Sequence, residues 1–564
     1  MVLTEKPLED ARRSYRLGLP KIFEDIARVH IVEGERPKPP KDADLLMESF
    51  PHTFNQHFIN FAHGQEKQER EAIKVGVVLS GGQSPGGHNV IVGLYDALQA
   101  MNLNSTLIGF LEGPIGILKN KHKELTGSIV NQYRNQGGFD MIGSGRDKIE
   151  TEEDLASAER TVNELGLHGL VIIGGDDSNT NAALLAERFK AHNSQTCVVG
   201  VPKTIDGDLK NQYIETSFGF DTACRVYADL IGNIQRDCLS SKKYYHFIKL
   251  MGRSASHITL ECALQTHTNM ALISEEVSEY EQSLTEIVGH LADVICERAA
   301  KGKNYGVVLV PEGLIEFIPS MKVLISELND ILSANSGFGH VITSIASPVE
   351  RICRVTEELS ERANQIFSML PTDIQSQLLM DRDPHGNVQV SRIATEQMLL
   401  KMVARELERR KGIGRYVGDF SAQHHFFGYE GRCAMPTNFD CHYCYALGYS
   451  AAVLLNAGKT GYMACVSGLT SSIEEWKVSG VPLPSMMAME RRHGQSVPVI
   501  KKALVDLEDA PFKAFKSERD VWASQDLYRY PGPIQYYGGK DLADQVPLTL
   551  RFEHEREAKV VAHV

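Results

Sequence analysis

The chain has 564 residues, too many for one ordinary core and enough for about three or four domain-sized units. Hydrophobic residues make up 42% and charged residues 23%, ordinary for a globular protein in water, and the net charge of −13 argues against a nucleic-acid partner, which would call for a basic face. The polar N-terminus (MVLTEKPLEDARR) lacks the apolar centre of a secretory signal, no apolar run is long enough to span a bilayer, and the ten cysteines are scattered, so we expect a cytoplasmic protein with reduced thiols and no membrane partner.

Residues 1–70 carry no α/β rhythm and read as an irregular extension wrapped on a later part of the chain. The rhythm begins at Lys74. Residues 74–79 (KVGVVL) predict a strand, Ser80 to Gly87 a tight loop, and residues 88–101 a helix with Val90, Ile91, Leu94, Leu98 and Met101 at helical spacing. Strand, glycine loop and helix together offer free backbone N–H groups to an anion. Gly81 and Gly86 begin like a P-loop, but Gly87-His88 stands where Lys-Ser/Thr is required. Gly82 to Gly86 also matches G-x-S-x-G. A serine hydrolase would take an oxyanion-hole N–H from the residue after the nucleophile, and Pro85 has none.

A strand follows at 105–110, then a glycine turn carrying Arg146, then a capping signal at Thr151 for a helix ending near Gly166. Two short apolar runs, 169–173 (GLVII) and 196–201 (TCVVGV), predict buried parallel strands. Each ends in a polar loop: Gly174 to Thr180 and Pro202 to Asp208. Open α/β sheets bind ligands at such strand ends. Asp176, Asp177, Asp206 and Asp208 would repel one another if close, which calls for a metal or another cation unless the cluster only shapes turns. Glycines that let N–H groups reach an anion, carboxylates that hold Mg²⁺ or take a proton, and Lys203 together fit phosphoryl transfer.

A second α/β set begins near Tyr244. Residues 244–250 predict a strand leading to Met251-Gly252-Arg253, residues 254–266 a helix, 271–273 a strand, 285–300 a helix, and 305–310 a strand ending at Pro311-Glu312-Gly313. Residues 318–425 turn helical and charged and read as an insertion into this second set. A glycine-marked texture resumes at Phe426, with one more strand at 462–466. Cys441-x-x-Cys444 has no second ligand pair at zinc spacing and reads as packing. The pattern predicts two doubly wound α/β domains, at 71–240 and 241–500, with residues 501–564 packing back on the core.

Five motifs, in this order, carry a resemblance: GGDD (174–177), PKTIDGD (202–208), MGR (251–253), PEG (311–313) and YEGR (429–432). They resemble the pyrophosphate-dependent 6-phosphofructokinases, in the long form typified by the plant β-subunit. The resemblance implies two phosphofructokinase-type domains and a glycolytic transferase that is Mg²⁺-dependent and reversible. Its substrates would be pyrophosphate and fructose 6-phosphate, phosphorylated at the 1-hydroxyl. By resemblance, Gly82 would contact pyrophosphate, Asp176 would hold Mg²⁺, and Asp206, in Thr204-Ile205-Asp206, would accept the hydroxyl proton with Asp208 in support. Met251, Gly252, Arg253, Glu312, Tyr429, Glu430, Gly431 and Arg432 would bind the sugar phosphate, and Arg146 would face the transferred group. Lys243 and Tyr244 would reach a partner subunit's site, implying a homodimer or a higher homo-oligomer.

ATP-using relatives carry glycine where this chain has Asp177 and Lys203. A carboxylate at Asp177 would exclude a nucleotide's α-phosphate by clash and repulsion, and Lys203 would neutralise the leaving phosphate. Two rival readings are an ATP-dependent phosphofructokinase, opposed by these two residues, and a non-catalytic regulatory subunit that binds sugar phosphates. The second is opposed by the presence of the expected residue type at every catalytic position.

Overall fold

The short apolar runs become the strands of two sheets in a computed structural model that describes residues 8–332, 337–380, 388–492 and 495–532. The larger sheet has nine strands, in spatial order Val29–Glu33 (β1), Ile59–His63 (β2), Lys477–Pro482 (β13), Tyr462–Ser467 (β12), Cys197–Pro202 (β7), Gly169–Gly174 (β6), Lys74–Leu79 (β3), Thr106–Phe110 (β4) and His122–Glu124 (β5). The smaller runs Ala422–Phe427 (β11), Tyr245–Leu250 (β8), Gly306–Pro311 (β10) and Met270–Ala271 (β9). A separate antiparallel hairpin pairs Met487–Arg492 (β14) with Gln495–Ile500 (β15).

β4, β3, β6, β7 and β12 run parallel at the centre of the larger sheet. A parallel sheet of continuous apolar strands needs helices on both faces, and side chains alternate between them. Val75, Val77 and Leu79 accordingly join one core, with the helices Gly87–Met101 and Asn438–Asn456. Val78 joins the other, with Glu152–Glu164 and Asp176–Ala191. The first two helices touch backbone to backbone: a Cβ on Gly93 would lie 2.3 Å from Tyr445 O, and one on Gly448 2.3 Å from Val90 O. The smaller sheet is parallel throughout.

Three expectations change. Residues 29–63 are not irregular: β1 and β2 pair antiparallel, and β2 pairs with β13 to extend the larger sheet. The stretch from 438 to 482, expected in the second α/β set, lies on the larger sheet, where β12 pairs with β7. An apolar run announces a buried strand but not the sheet it joins. The helical stretch, expected to run to 425, ends at Gly412 and gives way to β11, a half-exposed edge strand whose histidines mask its period. Its helices pack Met321, Val355, Phe367 and Leu399 against Tyr245 and Val308 of the smaller sheet. Cys441 and Cys444 are buried on the helix Asn438–Asn456. In the C-terminal part, the helix Ala510–Ser524 buries Phe512, Phe515 and Trp522 beside Ile248 and Leu309, while 533–564 lie outside the described residues. No helix among the described residues is long and apolar enough to cross a membrane.

Candidate active site

The carboxyl ends of β3, β6 and β7 meet those of β8 and β10 at a cleft of about 370 Å³. β6 ends at Gly174 and the next helix starts at once, so Asp176 and Asp177 occupy its first turn, where the helix dipole favours negative charge. The polar stretch expected as a loop from Gly174 to Thr180 is therefore mostly the first turn of this helix. β3 runs into Ser80, which bridges to Gly145, and Gly81 takes the left-handed bend (φ 85°) while its N–H donates to Gly145 O. That pairing lays the glycine turn at 143–147 beside the loop and carries Arg146 into the cleft. β7 delivers Lys203, whose Nζ donates to Gly82 O at 2.9 Å, and the loop holding Asp206 and Asp208.

The smaller sheet supplies the facing wall. Glu312, after β10, accepts from Gly252 N–H at 3.1 Å. Arg432, on the short helix Tyr429–Arg432, joins the walls: its Nη1 donates to Gln83 O (3.2 Å), its Nε to Met251 Sδ (2.9 Å), and its Nη2 lies 3.8 Å from Asp206 Oδ1.

The cleft mixes charges at close quarters. Asp147, Asp176, Asp177, Asp206, Asp208 and Glu312 line it together with Arg146, Lys148, Lys203, Arg253, Arg432 and Lys502. Burial, then the Asp206 charge, pushes the Asp208 carboxyl up to about 7. Burial and Asp206 also raise Glu312. Burial, helped by Arg432 and opposed by the three nearby aspartates, lowers Lys203 to about 8. Asp206 Oδ1 is buried with no hydrogen-bond partner among the described residues. That unpartnered oxygen, in a cleft that also holds Asp176 and Asp208, fits a divalent cation, though no group of three potential ligands is gathered among the described residues. Mg²⁺ matches that donor set, because it binds through one or two carboxylates, water and substrate phosphates.

Of the residues singled out by sequence, Gly82, Arg146, Asp176, Asp177, Lys203, Thr204, Asp206, Asp208, Arg253, Glu312 and Arg432 line this one cleft. Ile205 lies fully buried beneath it. Met251 and Gly252 contact lining residues, as described above, and Gly431 packs on the Tyr227 ring, where a Cβ would meet the ring at 2.6 Å. Glu430 accepts from Gly428 N–H and Tyr429 is exposed. Lys243 and Tyr244 lie apart, before the amino end of β8 and a strand's length from Met251. Sequence reasoning missed Lys148, with its Nζ 4.0 Å from Asp177 Oδ2, and Lys502, with its Nζ 3.4 Å from Asp176 Oδ2. Lys148 sits two places after Arg146 in a turn already marked. Lys502 follows an apolar run in a segment with no motif, and only the return of the chain brings it here.

Residues 74–455 match the family described as Phosphofructokinase. The pyrophosphate--fructose 6-phosphate 1-phosphotransferase of Porphyromonas gingivalis is 50% identical, over 98% of this chain and 99% of that protein. The β1 subunit of the Arabidopsis thaliana enzyme of that name is 52% identical, over 94% of this chain and 92% of that one. Among solved structures, the pyrophosphate-dependent phosphofructokinase of Nitrosospira multiformis shares the fold, with a TM-score of 0.52 at 15% identity over 84% of this chain and 96% of that one. With its motifs in one cleft, its fold shared, and a family match over most of its length, the chain belongs to the phosphofructokinase family.

Proposed function

We propose that the chain transfers a phosphoryl group from pyrophosphate to the 1-hydroxyl of fructose 6-phosphate, giving fructose 1,6-bisphosphate and phosphate. The reaction is reversible and belongs to glycolysis in the cytoplasm. The observation that carries this reading is that Asp177 and Lys203 line one cleft with Asp206. Full-length similarity to enzymes named for this reaction supports it.

Asp206 accepts the hydroxyl proton as the oxygen attacks, and its buried Oδ1 has a lone pair open to that hydroxyl. Lys203, lowered to about 8, is still protonated at neutral pH and places its charge on the leaving phosphate. Asp177 excludes a nucleotide. Gly82 leaves room for pyrophosphate beside Arg432 and Arg146, since a Cβ there would lie 3.2 Å from Arg432 Nη1. Asp176 would hold Mg²⁺, which when bound supplies positive charge shared between the phosphates. Asp208 supports the Asp206 loop. Arg253, Glu312 and Arg432, with Met251, Gly252, Thr204, Ile205 and the Tyr429–Gly431 turn around them, hold the sugar phosphate. Lys243 and Tyr244 serve the cleft of a second copy in a homodimer or larger homo-oligomer.

Asp206→Ala is the test of the base. Turnover should fall by roughly 10³-fold, within the range for a lost general base, while calorimetry still detects fructose 6-phosphate binding. Near-normal turnover would remove Asp206 from the role.

A further inference from the structure

The C-terminal segment carries into the cleft a lysine that no motif contains. Lys502 follows β15, and the backbone around it is fixed to both walls of the site. On one side, Ile500 N–H donates to Thr180 Oγ1 at 3.3 Å, and that hydroxyl donates to Asp176 O at 3.0 Å. Ala503 N–H donates to Asp208 O at 2.8 Å, on that same wall, and Ala503 O accepts from His257 Nε2 at 3.0 Å, on the other. The side chain spans the same seam. Its Nζ lies 3.4 Å from Asp176 Oδ2, on the larger sheet's wall, and donates to Ser254 Oγ at 3.0 Å, on the smaller sheet's wall.

An ion pair open to water contributes little to stability, and the Lys502 side chain is 33% exposed. The backbone bonds therefore fix a charge that stability does not require. That charge is felt in the buried site, where Lys502 opposes the rise of the Asp208 carboxyl. A lysine carries a compact charge and three donors on a flexible stem. Such a group can rest on Asp176 and turn to an arriving polyanion without moving its backbone.

We propose that Lys502 is a phosphate-binding residue, whose ammonium contacts the phosphoryl group as it passes from the pyrophosphate side at Asp176 to the sugar side at Ser254. This rests on the reaction proposed above. The contact strengthens as charge develops on the transferred oxygens, so its loss should appear in kcat as well as in KM for pyrophosphate.

The test compares the parent with K502M and K502R in the full chain. In K502M, kcat/KM for pyrophosphate should fall roughly 10²-fold, as for a lost donor at a developing charge. KM for fructose 6-phosphate and the ligand-free Tm should hold, and K502R should recover part of the loss. Added pyrophosphate, without sugar, should raise the Tm of the parent and not that of K502M. Parent-like kinetics in K502M would overturn the proposal. So would a loss matched by a lowered Tm and not relieved in K502R, which would make Lys502 a strut between Asp176 and Ser254. A parent that is inert while pyrophosphate raises its Tm, with no rise in K502M, would support Lys502 and overturn the reaction. A parent that is inert and unresponsive to pyrophosphate would overturn both.

Discussion

Asp208 shows how crowded the site is with buried and charged groups. Its carboxyl is pushed up to about 7, by burial first and by the Asp206 charge second. The folded value lies above the usual carboxylate value near 4, so the fold favours the neutral form. The stability that form contributes is fully present below the unfolded value and is lost as pH rises through about 7. Asp208→Asn keeps a neutral side chain at every pH. The ligand-free Tm of Asp208→Asn should therefore gain on the parent's as pH rises from about 4 to about 7, across the span between the two values. A gap that stays flat or narrows as pH rises would show that Asp208 is already ionised in the fold.

At the scale of elements, one carboxylate ties two parts of the chain together. Asp440, on the helix that returns the chain to the larger sheet, accepts from Gly219 N–H and Thr222 N–H, both at 2.9 Å, and from the Thr222 hydroxyl. It thus satisfies the start of the helix Phe220–Ser241 from a distant segment. Asp440→Ala leaves these donors unpaired in a buried place and should cost about 1–3 kcal/mol. The check is a Tm lowered by several degrees; an unchanged Tm would mean that water replaces the carboxylate. Sequence alone showed less of this level than of the residue level. The glycine-marked loops after β3, β6 and β7 were legible because strand, loop and helix lie next to one another in the chain. The capping box at Thr151 was legible for the same reason, with both of its bonds formed. The route of β12 back to β7, the pairing of β2 with β13, and the arrival of Lys502 depend on pairings across hundreds of residues. No local period encodes those pairings. Arg432 was legible only through the resemblance, because its approach to Asp206 crosses from one sheet to the other.

Across the whole molecule, the cleft exists because two sheets present their carboxyl ends to each other and the C-terminal segment closes over the seam. That segment is held by Arg298, fully buried, which donates to Asp526 Oδ1 at 2.8 Å and to Tyr305 O. A site shared between copies is expected from Lys243 and Tyr244, which lie a strand's length from their own chain's cleft. A chain carrying Lys243→Ala with Tyr244→Ala and a chain carrying Asp206→Ala should each be nearly inactive. Co-expressed, they should recover about a quarter of parent activity, since half of the dimers formed at random are mixed and each has one intact site. No recovery would mean that each chain completes its own site. The most direct test of the account is the choice of donor. With Mg²⁺ and fructose 6-phosphate, the purified chain is assayed for fructose 1,6-bisphosphate with either pyrophosphate or ATP. Asp177 and Lys203 predict product with pyrophosphate and none with ATP; product with ATP, or silence with both, would contradict the account.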